Sequence, residues 1–234
     1  MLSAILCYLY DEERFMRNRR NLTGETYHIR FCKDLNEYDT LQSVRKTFDA
    51  DYNSWTMIAV VRDPLERFVS GFADKCLREK VWKKFPDRCN RCKTNLTCFM
   101  ERQYVRMMRW KSVYKVRASP DFDDDHFFPQ NWRCEFPSHF HDYHKLHLDT
   151  SQPFMFIDKL LSILRNNNVS NTAVEYIRSS LTSGRTVHST VDTVERKQTK
   201  ELLLSNNYLR TLLIRMYFYD FVLFGYRVPR EFSS

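Results

Sequence analysis

Glycine is scarce in this chain, at 4 of 234 residues. With no internal period beside it, that scarcity excludes low-complexity and repeat architectures. Long apolar runs are missing as well. The opening MLSAILCYLY is apolar for about ten residues, half of the roughly 20 that cross a bilayer. It also lacks the basic leading region of a secretory signal. The metal signatures are incomplete. Asp123, Asp124 and Asp125 stand together without the spacing and closing Glu of a calcium loop. Cys89 and Cys92 form a C-x-x-C, but no second close Cys pair or His pair follows to complete a zinc site. No nucleic-acid-binding signature accompanies the basic residues.

What is present describes a folded, basic protein. Hydrophobic residues make up 43% and aromatics 15%, too many for disorder. The length suits one domain with a sizeable core. A net charge of +8 suits an anionic partner: an acidic polysaccharide, an anionic cofactor, a nucleic acid or a membrane surface. Seven cysteines and three glycosylation sequons, beginning at Asn21, Asn95 and Asn168, favour an oxidising secretory compartment. Cys76, Cys89, Cys92, Cys98 and Cys134 are the disulfide candidates, with their pairing open. The odd count leaves one thiol over, and Cys7, in an apolar run, is the expected one.

The stretch from Trp55 to Cys76 organises the rest. Met57 to Val61 is a short apolar run that reads as a buried strand. Arg62-Asp63-Pro64 follows, and then Leu65, Phe68, Val69, Phe72 and Cys76 recur at helical spacing. Pro64 sits where a first helical turn tolerates it. Backbone N–H groups and the helix dipole at such a junction favour an anion. Arg62 can grip a phosphate through two hydrogen bonds. Ser70 shares the polar helix face with Asp63, Arg67 and Asp74, so its hydroxyl can reach the same anion.

Arg62 and Ser70, eight positions apart across a strand–helix junction, resemble the 3′-phosphate motif of sulfotransferases, which use 3′-phosphoadenosine 5′-phosphosulfate. The fuller string RDPLERFVSGF resembles the Golgi carbohydrate sulfotransferases that include the chondroitin 4-O- and HNK-1 enzymes, in the form of their divergent nematode members. Further strings extend the resemblance over residues 1 to about 228. HFFPQNWRC at 126–134 resembles the family's His, Pro-Gln and Cys block in a loop that approaches the acceptor sugar. That makes His126 the candidate general base; a His held structurally beside Trp132 and the aspartates is the alternative. The polar loop Arg185 to Thr190 resembles the segment that closes over the nucleotide. It implies Arg185, Ser189 and Thr190 as further cofactor contacts, with His188 as a rival base. The family's 5′-phosphosulfate loop, which precedes its first helix, has no counterpart, because Met1 begins where that helix should. The start is therefore expected to be an N-terminally incomplete form of a type II membrane protein, with the anchor absent from this chain.

The remaining elements are read from pattern. One helix is predicted over 2–16, a short strand over Tyr27–Phe31 and a helix around Leu41–Phe48. Another helix is predicted over Phe99–Trp110, a strand over Phe154–Ile157 leading into a helix, and a further helix over Asn171–Ser183. A single long helix is predicted from Thr193 to Met216, ahead of an aromatic run through Tyr226 that reads as core packing. The acidic run at 121–125 reads as a solvated turn, and His139, His141, His144 and His147 as surface loop.

The resemblance implies a single α/β domain over 1–234, with a parallel sheet flanked by helices as in P-loop kinases and with cysteine-rich loops. It implies a metal-free sulfate transfer from 3′-phosphoadenosine 5′-phosphosulfate to a glycan acceptor, N-acetylgalactosamine of chondroitin, in the Golgi lumen. Two other readings stand beside it. One is a sulfotransferase-like protein that binds nucleotide or glycan and transfers nothing. The other is a basic secreted protein whose cysteines are purely structural.

Overall fold

The computed structural model describes residues 2–25, 29–49, 55–112, 121–183 and 190–229. The chain divides into two compact units, Met1–Ala59 with His141–Val187 and Val60–Phe140 with His188–Ser234.

The first unit begins with α1 (Leu2–Tyr10) and α2 (Glu12–Arg17). The single helix predicted here is broken at Asp11. Its carboxylate accepts the Arg14 N–H at 2.9 Å, which caps a new helix instead of closing the old one. A disulfide joins Cys7 of α1 to Cys32. This corrects the expectation that Cys7 is the unpaired thiol: its apolar setting is that of a buried disulfide. α3 (Leu41–Phe48) starts on Thr40, whose hydroxyl accepts the Ser43 N–H. Of the strand expected at Tyr27–Phe31, residues 27 and 28 lie outside those described, and the remainder is turn and coil.

β1 (Met57–Val61) and β2 (Tyr143–His147) form a small parallel sheet of two strands. β2 was not foreseen, since it covers His144 and His147, which read as loop. Leu146 is its one buried residue, so the strand pattern is nearly hidden. The strand expected at Phe154–Ile157 is instead the first turn of α8 (Pro153–Asn166). Pro153 opens that helix, and Ile157, Leu160, Leu161 and Leu164 bury one stripe. Phe154 and Met155 face solvent, so four consecutive apolar residues did not mark a buried strand. α9 (Asn171–Thr182) follows, capped by the Ser170 hydroxyl on the Ala173 N–H.

The second unit is helical and built on an aromatic core. α4 (Pro64–Phe72) runs into a π-helical turn, Ala73–Arg78. α5 (Leu96–Ser112), α6 (Phe122–Phe127), α7 (Phe136–His139), α10 (Val194–Ser205) and α11 (Asn207–Leu223) complete it. Phe68 packs against Phe72, Phe99, Phe127 and Tyr217. Such ring pairs add to the area each side chain removes from water. A Cβ on Gly71 would stand 3.0 Å from the Phe127 ring, so glycine lets α6 approach α4. The single helix expected over Thr193–Met216 divides at Asn206, whose side chain accepts the Leu209 N–H and starts α11.

Disulfides join Cys76 to Cys89 and Cys92 to Cys98 in this unit. Cys134, expected among the paired cysteines, is the free and exposed one. The architecture is α/β but mostly helical, with the sheet reduced to two strands among the described residues. No described helix is long and apolar enough to cross a membrane.

Candidate functional site

All of the candidate site that can be described lies in the second unit, around the start of α4. Asp63 caps the helix, accepting the Glu66 N–H at 3.0 Å, and Pro64 takes the first turn. The helix terminus therefore already carries a carboxylate, which leaves less room for an anion bound through backbone N–H groups alone. The side chains are the stronger feature. Arg62 Nη2 donates to Ser70 Oγ at 2.8 Å, across the eight-residue spacing read from the sequence. Ser70 is buried, at 8% exposure.

Burial, and then the nearby Arg196 guanidinium, lower the pKa of Arg62. The charge there is partly desolvated, with Arg196 and Arg67 opposing it and the Glu66 and Asp63 carboxylates favouring it. Glu66 gathers the neighbouring cations, pairing with Arg196 and accepting from Lys200 Nζ at 2.6 Å. Those partners hold its carboxyl below the ordinary glutamate range although burial opposes them. Sequence reading did not single out Glu66, Arg196 or Lys200. The signal available was the i, i+4 spacing of Arg196 and Lys200 on a helix, which puts both on one face.

Arg67 does not share a solvated face with Ser70 as the helical pattern suggested. It turns inward, and its Nη1 donates to the Phe128 carbonyl at 2.9 Å. Asp74, expected on that same face, is buried too.

The backbone of Arg62 is held by Gln130. Gln130 Oε1 accepts the Arg62 N–H at 2.9 Å and Gln130 Nε2 donates to the Arg62 carbonyl at 2.8 Å. Gln130 is held in turn by α11, because Asp220 accepts the N–H of Gln130 at 2.7 Å and of Asn131 at 2.8 Å. The Tyr226 hydroxyl donates to the carbonyl of Val61 at 3.3 Å.

His126 lies near the end of α6, which packs on α4. Its Nδ1 stands 2.6 Å from the Phe122 carbonyl. A carbonyl only accepts, so Nδ1 carries the proton and Nε2 keeps its lone pair. Burial lowers the pKa of this histidine, with Lys75 and Arg67 adding to the effect against the Phe122 hydrogen bond. The imidazole is therefore neutral near pH 7, as a proton acceptor must be.

The acidic run beside it is not a solvated turn. Asp121 caps α6 in a capping box, Asp123 accepts the N–H groups of Cys89 and Asn90 at 3.0 and 2.8 Å, and Asp124 pairs with Arg106. Asp123 and Asp124 are buried. Each carboxylate answers a specific donor, which composition alone does not reveal. Among the described residues, no group of three or more His, Cys, Asp or Glu is placed to hold a metal ion.

Of the loop at 185–190, Arg185, His188 and Ser189 lie outside the described residues. Thr190 is buried, and its carbonyl accepts the Thr193 hydroxyl in the turn that leads into α10. A separate cleft of about 540 Å³, lined by Asn90, Arg102, Arg106 and Asp121 among others, includes neither Arg62 nor Ser70. Its Arg106 is already engaged by Asp121 and Asp124.

The chain matches the model of a sulfotransferase family over residues 1–227. It is 35% identical over 230 residues to the carbohydrate sulfotransferase chst-1 of Caenorhabditis elegans, an alignment covering 97% of this chain and 69% of that one. An uncharacterized protein of the same organism is 30% identical over 99% of this chain and 65% of its own length. The C. elegans protein vep-2 is 30% identical over 82% of this chain and 60% of its own. The chain thus spans about two thirds of the length of these relatives. No solved structure matches.

Proposed function

The chain belongs to the sulfotransferase family, and from that premise we propose that it moves sulfate from 3′-phosphoadenosine 5′-phosphosulfate to a carbohydrate hydroxyl. The observation that carries this reading is the 2.8 Å bond between Arg62 and Ser70 across the β1–α4 junction. A partly buried guanidinium and a buried hydroxyl, with Arg196 and Lys200 close by, fit the charge and donor needs of a 3′-phosphate. Arg185, Ser189 and Thr190 are proposed to complete the nucleotide's contacts. His126 Nε2 takes the acceptor's hydroxyl proton as the new S–O bond forms. The S–O bond to the donor's phosphate breaks, which leaves 3′-phosphoadenosine 5′-phosphate. No metal is needed in this scheme.

A carbohydrate acceptor is supported by the name of the C. elegans relative chst-1. Within that class, N-acetylgalactosamine of chondroitin is our choice, because an anionic polymer suits a chain of net charge +8. Three disulfides favour an oxidising compartment, and the Golgi lumen is the one proposed. The family match runs through both compact units, which supports one sulfotransferase domain over 1–234.

Calorimetric titration of 3′-phosphoadenosine 5′-phosphate, with Arg62→Ala as control, tests the site. Saturable binding by the native chain and a loss of about 100-fold or more in the variant is expected, from removal of a charged bidentate donor. Labelled sulfate then tests transfer to chondroitin. Binding without transfer to any glycan would identify a nucleotide-binding member that does no chemistry. A folded chain that fails to bind would end the enzymatic reading.

A further inference from the structure

We propose that Gln130 and Asp220 are positioning residues that set the direction of the Arg62 guanidinium, so that the closing helix of the chain tunes nucleotide affinity without touching nucleotide. The inference rests on the reading of Arg62 as a phosphate ligand.

Gln130 is 8% exposed, and both halves of its amide bond the backbone of Arg62, while the side chain also reaches the Asp220 carboxylate. Oε1 takes the N–H of Arg62 and Nε2 gives to its carbonyl. That is the pair of bonds a neighbouring strand would make, here supplied by a side chain at the end of β1. With the groups on both sides of the Arg62 Cα fixed, the direction of its Cα–Cβ bond is fixed too. An apolar residue would fill the same space but could not do this.

Asp220 is fully buried, at 0% exposure. A carboxylate there is costly unless it is hydrogen-bonded, and its two oxygens accept the consecutive N–H groups of Gln130 and Asn131. Gln130 is thereby held at its own backbone while its side chain holds Arg62. Tyr226 meets the Val61 carbonyl one residue earlier, so the closing run reaches Val61 directly and Arg62 through Gln130. Packing, the role its sequence suggests, accounts for the rings and leaves Asp220 unexplained.

The test compares native chain, Gln130→Met and Arg62→Ala, singly and combined, by titration of 3′-phosphoadenosine 5′-phosphate. Methionine keeps the volume and removes both bonds. Gln130→Met is expected to weaken binding about tenfold, the worth of one to two hydrogen bonds. In the Arg62→Ala background it is expected to change the residual affinity by less than about twofold, since no guanidinium is left to aim. In the transfer assay, KM for the donor rises and KM for the acceptor stays. Equal weakening in both backgrounds would mean general packing and overturn the inference, as would native affinity in Gln130→Met. Should Gln130→Met fail to fold, Gln130→Glu serves. It keeps the acceptor for the Arg62 N–H, loses the donor to its carbonyl, and carries the same expectation. A native chain that binds no nucleotide overturns the functional reading itself, an outcome separable from the others.

Discussion

At His126 a single carbonyl decides the chemistry of a side chain. Phe122 fixes the tautomer from one side, and burial, helped by Lys75 and Arg67, fixes the charge state. A folded-state pKa below the ordinary histidine value means the unfolded chain binds the proton more readily. The histidine's contribution to stability is thus complete above that ordinary value and is lost as pH falls below it. Activity should follow the same sign. The acid limb of kcat/KM is expected below about pH 6.5, where a free histidine would already be half protonated. His126→Gln is expected to lose that limb and 100-fold or more in kcat, as removal of a general base does. A pH–rate profile of both proteins checks it. A limb that persists in the variant would pass the role of base to His188.

Residues with a local partner were readable in the sequence, whereas those with a distant partner were not. Arg62 and Ser70 stand one strand–helix junction apart, so helical spacing and the family resemblance together pointed to a shared anion, and the structure brings the two side chains into contact. Glu66 lies in the same string, but its partners Arg196 and Lys200 lie 130 and 134 positions away. The same is true of Asp123 and Asp124, which read as surface because nothing nearby shows Cys89, Asn90 or Arg106 coming to them.

Among the elements, the helix starts explain most of the differences between pattern and fold. Asp11 and Asn206 each sit inside a stretch that reads as one helix, and each turns it into two by accepting an N–H three residues on. α6 depends on a polar anchor more than on its short apolar face. Asp124, buried, takes two donors of Arg106 at 2.9 and 2.6 Å, which ties α6 to α5. Asp124→Ala is expected to cost about 2 kcal/mol, a figure discounted because Arg106 stays partly in water. Urea denaturation gives the number directly. A loss under about 0.5 kcal/mol would place the hold on α6 in the Phe99–Phe127 ring contact instead.

For the whole molecule, the covalent links divide as the compact units do. Cys7–Cys32 closes 25 residues within the first unit, and the other two bonds close 13 and 6 within the second. Loop entropy makes the first the most stabilising, at roughly 3–4 kcal/mol. Cys7→Ser/Cys32→Ser is expected to lower the stability of its own unit by about that much while leaving affinity for 3′-phosphoadenosine 5′-phosphate within twofold. The Arg62–Ser70 pair, on which that affinity is proposed to rest, lies in the other unit. Thermal unfolding followed beside nucleotide titration separates the two effects.

The span of the Gln130–Asp220 link also has a consequence for how the protein is made. Gln130 lies 68 positions from Arg62 and 90 from Asp220, so the support for Arg62 closes through contacts that are slow to form. Synthesis runs from the N-terminus at about 5–20 residues per second. Arg62 therefore emerges some seconds before the residue that completes its support. A ribosome-held chain stopped short of Asp220 would carry the whole RDPLERFVSGF string and still lack the means to hold it in place. Nucleotide competence would arrive only once Asp220 has emerged, well after the string that resembles the phosphate motif.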